Sequence, residues 1–293
     1  MKRKNRITPV DIIISILIAG AAIYIVFRVK VGLNYQWNWA VIPQYLWRYD
    51  EESGKWVANL LMMGVFNTIR LSFWGTILAT IFGTVTGLCR VSQNIFFRLI
   101  GRSYVELIRN LPPLILIFIF YFFVSDQIMP VLHLHDFLCT RSDATQQVCQ
   151  IVFAPPEFFS AFVSALVSLA IFEGAYITEI VRAGIQSVER GQWEACYALG
   201  LSKWHQMRHV ILPQAMQRIL PPLAGQFISL IKDSAIVSVI SIQELTFQGM
   251  ELMAATYLTF EIWITIALLY LIMTLTCSLA VERVEIHMAK NRR

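Results

Sequence analysis

Apolar and polar positions fall along this chain in long blocks rather than at the short periods of a water-soluble fold. Six apolar blocks, at about residues 10–27, 68–89, 112–125, 158–182, 222–242 and 262–281, approach the ~20 residues that cross a ~30 Å hydrocarbon core. They predict an all-α integral membrane protein with about six transmembrane helices. Lys2, Arg3, Lys4 and Arg6 precede the first block, as in a signal peptide. Arg28, Lys30 and then aromatics follow it, with no small-residue cleavage site, so the block is expected to stay as a helix. One interval is of another kind. Residues 194–215, "EACYALGLSKWHQMRHVILPQA", are polar, helical in pattern and broken by Gly200, between two blocks apolar enough for lipid.

Basic residues set the orientation. With the N-terminus in the cytoplasm, 17 of the 24 Lys and Arg fall on the cytoplasmic side and 5 outside, with Arg70 and Lys232 inside spans. Lys and Arg are retained in the cytoplasm, so both termini and the 194–215 interval are expected there. Outside, residues 28–58 hold Tyr35, Trp37, Trp39, Tyr45, Trp47, Tyr49 and Trp56, which suits a belt at the lipid headgroups. The other outer segment, 126–157, is acidic and carries Cys139 and Cys149. An oxidising compartment allows a disulfide between them, and two free thiols are the alternative.

Composition agrees. Of 293 residues, 57% are hydrophobic and 15% charged, with a mean hydropathy of +0.59. A soluble domain carries roughly 25% charged residues. The net charge of +5 follows topology and forms no basic stripe, so nucleic acid is not an expected partner.

The polar interval reads as a short helix over 192–199, with Gly191 before it and Gly200 as its stop. Trp193, Cys196 and Leu199 give it one apolar face, and Ala195 and Ala198 leave room for a close neighbour. Ser202 is placed to cap a second helix that ends before Pro213. From pattern alone this is a loop helix at the membrane surface.

Glu194-Ala195-Cys196, three residues, Gly200, nine residues, then Val210-Ile211-Leu212-Pro213 resembles the cytoplasmic loop of ABC importer permeases, which reads Glu-Ala-Ala, Gly, Ile-x-Leu-Pro at that spacing. Cys196 and Val210 are its mild departures. Residues 104–122 ("YVELIRNLPPLILIFIFYF"), 174–195 and 227–245 are similar to the polar amino acid subgroup, although Lys232-Asp233-Ser234-Ala235 lacks its usual Leu. The resemblance covers roughly 58–285. It implies a five-helix importer core with the outer insertion 126–157 and a coupling loop at 183–221. Residues 1–57 add an extra helix and the aromatic loop, and 286–293 form a basic tail.

Such a chain is expected to be a permease subunit moving amino acids, of the polar kind, across a bacterial inner membrane. The resemblance implies cytoplasmic ATPase subunits, a second permease copy or homologue, a periplasmic substrate-binding protein and membrane lipid as partners. Glu194, Ala195, Cys196, Gly200, Val210, Leu212 and Pro213 would form the loop that seats in the ATPase, Glu194 anchoring it and Pro213 fixing its exit. No Gly-x-x-x-x-Gly-Lys-Ser/Thr loop, metal-ligand spacing or nucleophile set is present. The chain is therefore not expected to be an enzyme or to bind a cofactor, ATP and magnesium belonging to the partner. His133 and His135 read as a solvated pair.

Ionisable groups within a span cost about 2.5–3.5 kcal/mol each and default to functional candidates. Glu173 lies in mid-span, where the subgroup has a small or hydroxyl residue. It is the candidate to meet the ammonium or side chain of an amino acid, with Lys232, Asp233 and Ser234 as further pathway candidates. The bland alternative is a Glu held by a bundle partner such as Lys232. Glu179 and Arg182 are expected to pair, and Arg70 to snorkel to the interface. An ion-coupled secondary transporter would also explain these groups, but no inverted repeat or matching pair of broken helices is found.

Overall fold

The computed structural model describes residues 9–32, 35–52, 54–132 and 143–290. The chain divides into two units, Met1–Trp39 and Ala40–Arg293. In the first, helix α1 (Pro9–Gly32) contains the apolar stretch Ile12–Ala21. Its crossing of a membrane stays an expectation. Beyond the helix, Trp37 stacks on Trp39 at 5.9 Å and meets Tyr35 edge-on at 5.1 Å.

The second unit opens with α2 (Ile42–Leu46) and an antiparallel hairpin of β1 (Trp47–Asp50) and β2 (Lys55–Ala58). The aromatic interval is thus not all loop; this short hairpin is a local addition to the expected all-α fold. Tyr49 sits opposite Trp56 with ring centroids 5.7 Å apart, and Gly54 takes the left-handed turn at φ +62°. Cross-strand aromatic pairing and this turn set the register.

Among the described residues five helical spans follow that are long and apolar enough to cross a membrane: Leu60–Val91, Pro113–Leu132, Ala144–Gln186, Lys203–Ile240 and Thr259–Arg283. In elements, α3 (Leu60–Val91) leads to the amphipathic α4 (Ile95–Asn110), capped by the Asn94 side chain on the Phe96 N–H. Helix α5 (Pro113–Phe123) runs through a wide π turn (Val124–Ile128) into α6 (Met129–Leu132). Next come α7 (Asp143–Val152), α8 (Pro156–Gln186) and α9 (Arg190–Ala198). The fourth span then begins with α10 (Lys203–His205), a π turn (Gln206–Ile211) and α11 (Leu212–Asp233), and ends in a 3-10 turn (Ser234–Ile240). Helices α12 (Leu245–Thr256) and α13 (Thr259–Lys290) close the chain.

Two expectations change here. The second helix of the polar interval does not end before Pro213. It widens into the π turn and continues, with Pro213 in the first turn of α11, where a missing N–H costs least. The span expected to begin at about Pro222 starts earlier, and Pro221 and Pro222 lie inside α11.

Helix α3 shows how lipid inverts the usual amphipathic pattern. Its outer face carries Phe66, Ile69, Phe73, Ile77, Ile81, Val85 and Leu88, all exposed. Its inner face is mostly small or hydroxylic: Gly64, Thr68, Ser72, Gly75, Ala79, Gly83 and Gly87 are buried, with Leu61, Val65 and Leu71 towards its start. Lipid offers no hydrophobic drive between helices, so close backbone packing supplies the cohesion. A Cβ at Gly83 would lie 2.6 Å from the Cβ of Ile177, so glycine is what lets α3 and α8 touch there. The Thr86 and Thr178 hydroxyls bond each other across the same seam.

Candidate functional site

The polar interval folds as a rigid knob. Helix α9 ends in a double cap: the Gly200 N–H donates to Tyr197 O at 3.0 Å and the Leu201 N–H to Cys196 O at 3.1 Å. This Schellman geometry needs a residue at positive φ, and Gly200 supplies φ +68°. Ser202 caps the next helix, its Oγ accepting from the His205 N–H.

Three side chains that the sequence did not single out lash the two arms together. Buried Gln206 donates from Nε2 to Trp193 O at 3.3 Å. Gln214 donates to Gln192 Oε1 at 3.2 Å, and Arg218 donates to Ser187 O. Lys203 donates to Gln93 Oε1, tying the knob to the end of α3. Beneath them Ile185, Val188, Ile211, Ala215 and Ile219 form one apolar cluster with Trp193, Met207, Val210 and Leu212 packed against it.

The predicted loop residues divide between these roles. Cys196 is buried at 3% exposure, and Val210 and Leu212 are half-buried. Ala195 and Pro213 are exposed. Glu194 does not anchor the loop to the helical body: it pairs with Arg190 on its own helix at 3.5 Å, with both side chains largely exposed. Leu199 is not on the buried face. It sits at the helix C-cap, 77% exposed, and with Tyr197 and Trp204 forms an apolar tip facing outward. Spacing by threes had placed Leu199 with Trp193 and Cys196, but the chain leaves the helix there.

Just inside the knob, Glu179 and Arg182 pair as expected, at 2.7 Å and 2.9 Å from Arg182 Nη2 and Nε to Glu179 Oε2. Arg90 of α3 adds a second cation on Glu179 Oε1. Sequence spacing could not reveal that partner, 89 positions away.

Of the mid-span candidates, Glu173 and Asp233 come together. Glu173 is fully buried between α8 and α11, its Oε2 accepts from Gln226 Nε2, and the Asp233 carboxylate is its close neighbour. Glu173 Oε1 is buried without a partner. Lys232 is exposed and does not hold Glu173. Ser234 is buried and bonds back to Ile231 O at 2.8 Å. Arg70 does not simply snorkel: it is half-buried and donates to Asn67 Oδ1 at 3.1 Å.

Glu244 is a buried group that sequence reading passed over. It caps α12 through Oε1 on the Phe247 N–H at 2.8 Å and accepts the Tyr270 hydroxyl on Oε2 at 2.7 Å. Among the described residues no three His, Cys, Asp or Glu side chains are grouped to hold a metal ion. Cys139, His133 and His135 lie outside the described residues, and with them the possible disulfide. Cys149 is buried on α7.

Comparison with known proteins adds the following. The family model for the binding-protein-dependent transport system inner membrane component matches residues 79–290. The "Glutamine transport system permease protein GlnP" of Escherichia coli (strain K12) is 45% identical over 144 residues, 47% of this chain and 66% of that one. That match spans just under two thirds of the relative's length. The "Probable glutamine ABC transporter permease protein GlnM" of Bacillus subtilis (strain 168) is 30% identical over 233 residues, 80% of this chain and 95% of that one. A chain in a "Crystal structure of an amino acid ABC transporter with histidines" is 30% identical and superposes with a TM-score of 0.64, covering 86% of this chain and 100% of that chain. A chain of the inward-facing MetNI methionine ABC transporter shares the fold at 18% identity, with a TM-score of 0.58.

Proposed function

From the premise that this chain belongs to the family of binding-protein-dependent transport system inner membrane components, we propose that it is the membrane permease subunit of an ATP-driven importer for amino acids. Relatives named for glutamine transport make a polar amino acid the substrate class, with glutamine the first to test. The observation that carries the proposal is the knob of α9 and α10. It is a small helix closed by a positive-φ glycine, lashed to two long helices, and tipped with exposed Tyr197, Leu199 and Trp204.

An exposed apolar tip on a polar element calls for a protein partner. In the proposed machine a cytoplasmic ATPase covers it, and ATP-driven closure of two ATPases pushes on α9. ATP and magnesium are bound and used there and not by this chain. A second copy or homologue of this permease completes the path, and a periplasmic binding protein delivers the substrate. Glu173, with its unpartnered Oε1, and Asp233 form the polar station that meets the substrate's ammonium once the helices part.

The test is purification of the tagged chain from its native membrane in mild detergent, beside the variant Ala195→Trp. Ala195 is exposed on α9, so the bulky ring leaves the fold intact and obstructs docking. An ATPase that co-purifies with the native chain and is depleted by the variant supports the proposal. Recovery of the native chain without any ATPase would sink it and favour the secondary transporter.

A further inference from the structure

A cavity of about 220 Å³ opens at the end of the helical body opposite the knob. The position follows from chain direction: α8 begins there at Pro156 and runs to the knob, and α11 returns from the knob towards Ser241. Sites for drug-sized ligands measure roughly 300–1,000 Å³, so this one fits a smaller molecule. Its polar wall is Asn67, Arg70, Gln150, Gln243 and Gln248, and Phe162 stands on the apolar side.

Two observations mark it as a site. Arg70 has five N–H donors, of which one goes to Asn67 Oδ1 at 3.1 Å. Asn67 is itself oriented, because its Nδ2 donates to Gln243 O at 2.7 Å. Among the described residues no carboxylate pairs with Arg70, so a half-buried cation faces the cavity with its charge unanswered. Independently, Gln248 lines the same cavity at 4% exposure, and its Oε1 is buried with no hydrogen-bond partner. One wall lacks an anion and another lacks an N–H donor. A molecule offering both within a small volume is a zwitterion.

We infer that this cavity is an outer binding site for a free amino acid, whose α-carboxylate lies on the Arg70 guanidinium and whose N–H donors reach Gln248 Oε1. The inference rests on the importer function proposed above. It concerns different residues from the Glu173 station, which lies between α8 and α11. A planar guanidinium matches a carboxylate with two parallel hydrogen bonds, which a lysine cannot reproduce.

The test uses the assembled permease–ATPase complex in detergent, without binding protein, and radiolabelled L-glutamine followed by each other common amino acid. On the native complex the amino acid binds, and L-glutaminamide, which lacks the α-carboxylate, competes at least about tenfold more weakly, as expected for the loss of charge-assisted hydrogen bonds. Arg70→Gln weakens L-glutamine binding by a similar factor and abolishes the discrimination against the amide. Arg70→Lys restores part of it. Co-purification of the ATPase with each variant shows that it is folded, and Gln248→Leu gives a second route to the same loss.

Absence of binding by any amino acid to the native complex would overturn the inference, as would Arg70→Gln binding acid and amide as the native complex does. So would a defect confined to docking of the binding protein, because the carboxylate would then be a protein's. Uptake in proteoliposomes separates the two proposals. Native ATP-driven uptake that Arg70→Gln leaves unchanged removes the outer site alone. No ATP-driven uptake of any amino acid removes the importer function with it.

Discussion

Gly200 is the position where backbone geometry alone should control coupling. It sits at φ +68°, and a Cβ built there would meet nothing within 4 Å. Replacing it therefore adds backbone strain and no clash within the chain. An ordinary L-residue in the left-handed region costs roughly 1–2 kcal/mol, and a β-branched one about 1–3 kcal/mol. The two capping hydrogen bonds at Tyr197 O and Cys196 O contribute about 0.5–1.5 kcal/mol each. Strain and cap are thus of equal size, and the end of α9 opens for an appreciable fraction of the time. A change of one or two kcal/mol is a factor of about 5–30 in that equilibrium. Asn tolerates the left-handed region, so Gly200→Asn should stay near the native protein, with Gly200→Ala worse and Gly200→Val worst. The assay is amino acid imported per ATP hydrolysed in proteoliposomes holding the complete transporter. Equal damage from Asn and Val would show that bulk against a partner matters, and native behaviour of Val would show that the cap does not. Either result refutes the backbone argument.

Four further outcomes are expected. Gly83→Ala puts a methyl 2.6 Å from Ile177 Cβ and should lower the melting temperature in detergent, an overpacking cost of about 1–3 kcal/mol. Gly225→Ala in α11, where nothing lies within 4 Å, should be neutral or stabilising by up to about 1 kcal/mol from helix propensity. Glu179→Gln removes the common anion of Arg90 and Arg182 and should cost about 1.5–3 kcal/mol in thermal unfolding, and no loss would mean solvent already screens the cluster. Glu173→Gln keeps an acceptor for Gln226 but no charge. It should impair uptake with ATPase binding intact, and normal uptake would dismiss Glu173 from the pathway.

Five of the six spans, the glycine stop and the Ser202 cap were legible because each is a local property: block hydropathy, one φ angle, one side chain beside one N–H. Contacts between distant positions were not. Arg90 with Glu179, Gln226 with Glu173 and Tyr270 with Glu244 join helices whose rotation about their own axes block hydropathy leaves undefined. Lipid adds to this, since an apolar outer face and an apolar core look alike in sequence. Leu199 failed differently: a period of three was extended one residue past the helix it described. Proline misled as well, because α11 carries Pro221 and Pro222 within a helix and the π turn before it absorbs Pro213.

A knob can transmit force only if its attachments outlast its tip. Here the tip is three exposed side chains, and the main attachments are buried, Gln206 under Trp193 and the Ile185–Ile211–Ile219 cluster, with Arg218 on Ser187 O reinforcing them at the surface. At Gly184 the helices α8 and α11 approach so closely that a Cβ would fall 2.3 Å from Ile219 Cγ1. A push on α9 therefore cannot spend itself in bending the loop, and it loads α8 and α11 as a pair. The same pair carries Glu173 on one helix and Gln226 and Asp233 on the other. Interiors packed this tightly shift between discrete arrangements rather than deform continuously. Relative sliding of α8 and α11 would break the Gln226–Glu173 bond while leaving the knob intact. The proposed ATP-driven step thus has its mechanical input and its polar station on one pair of helices.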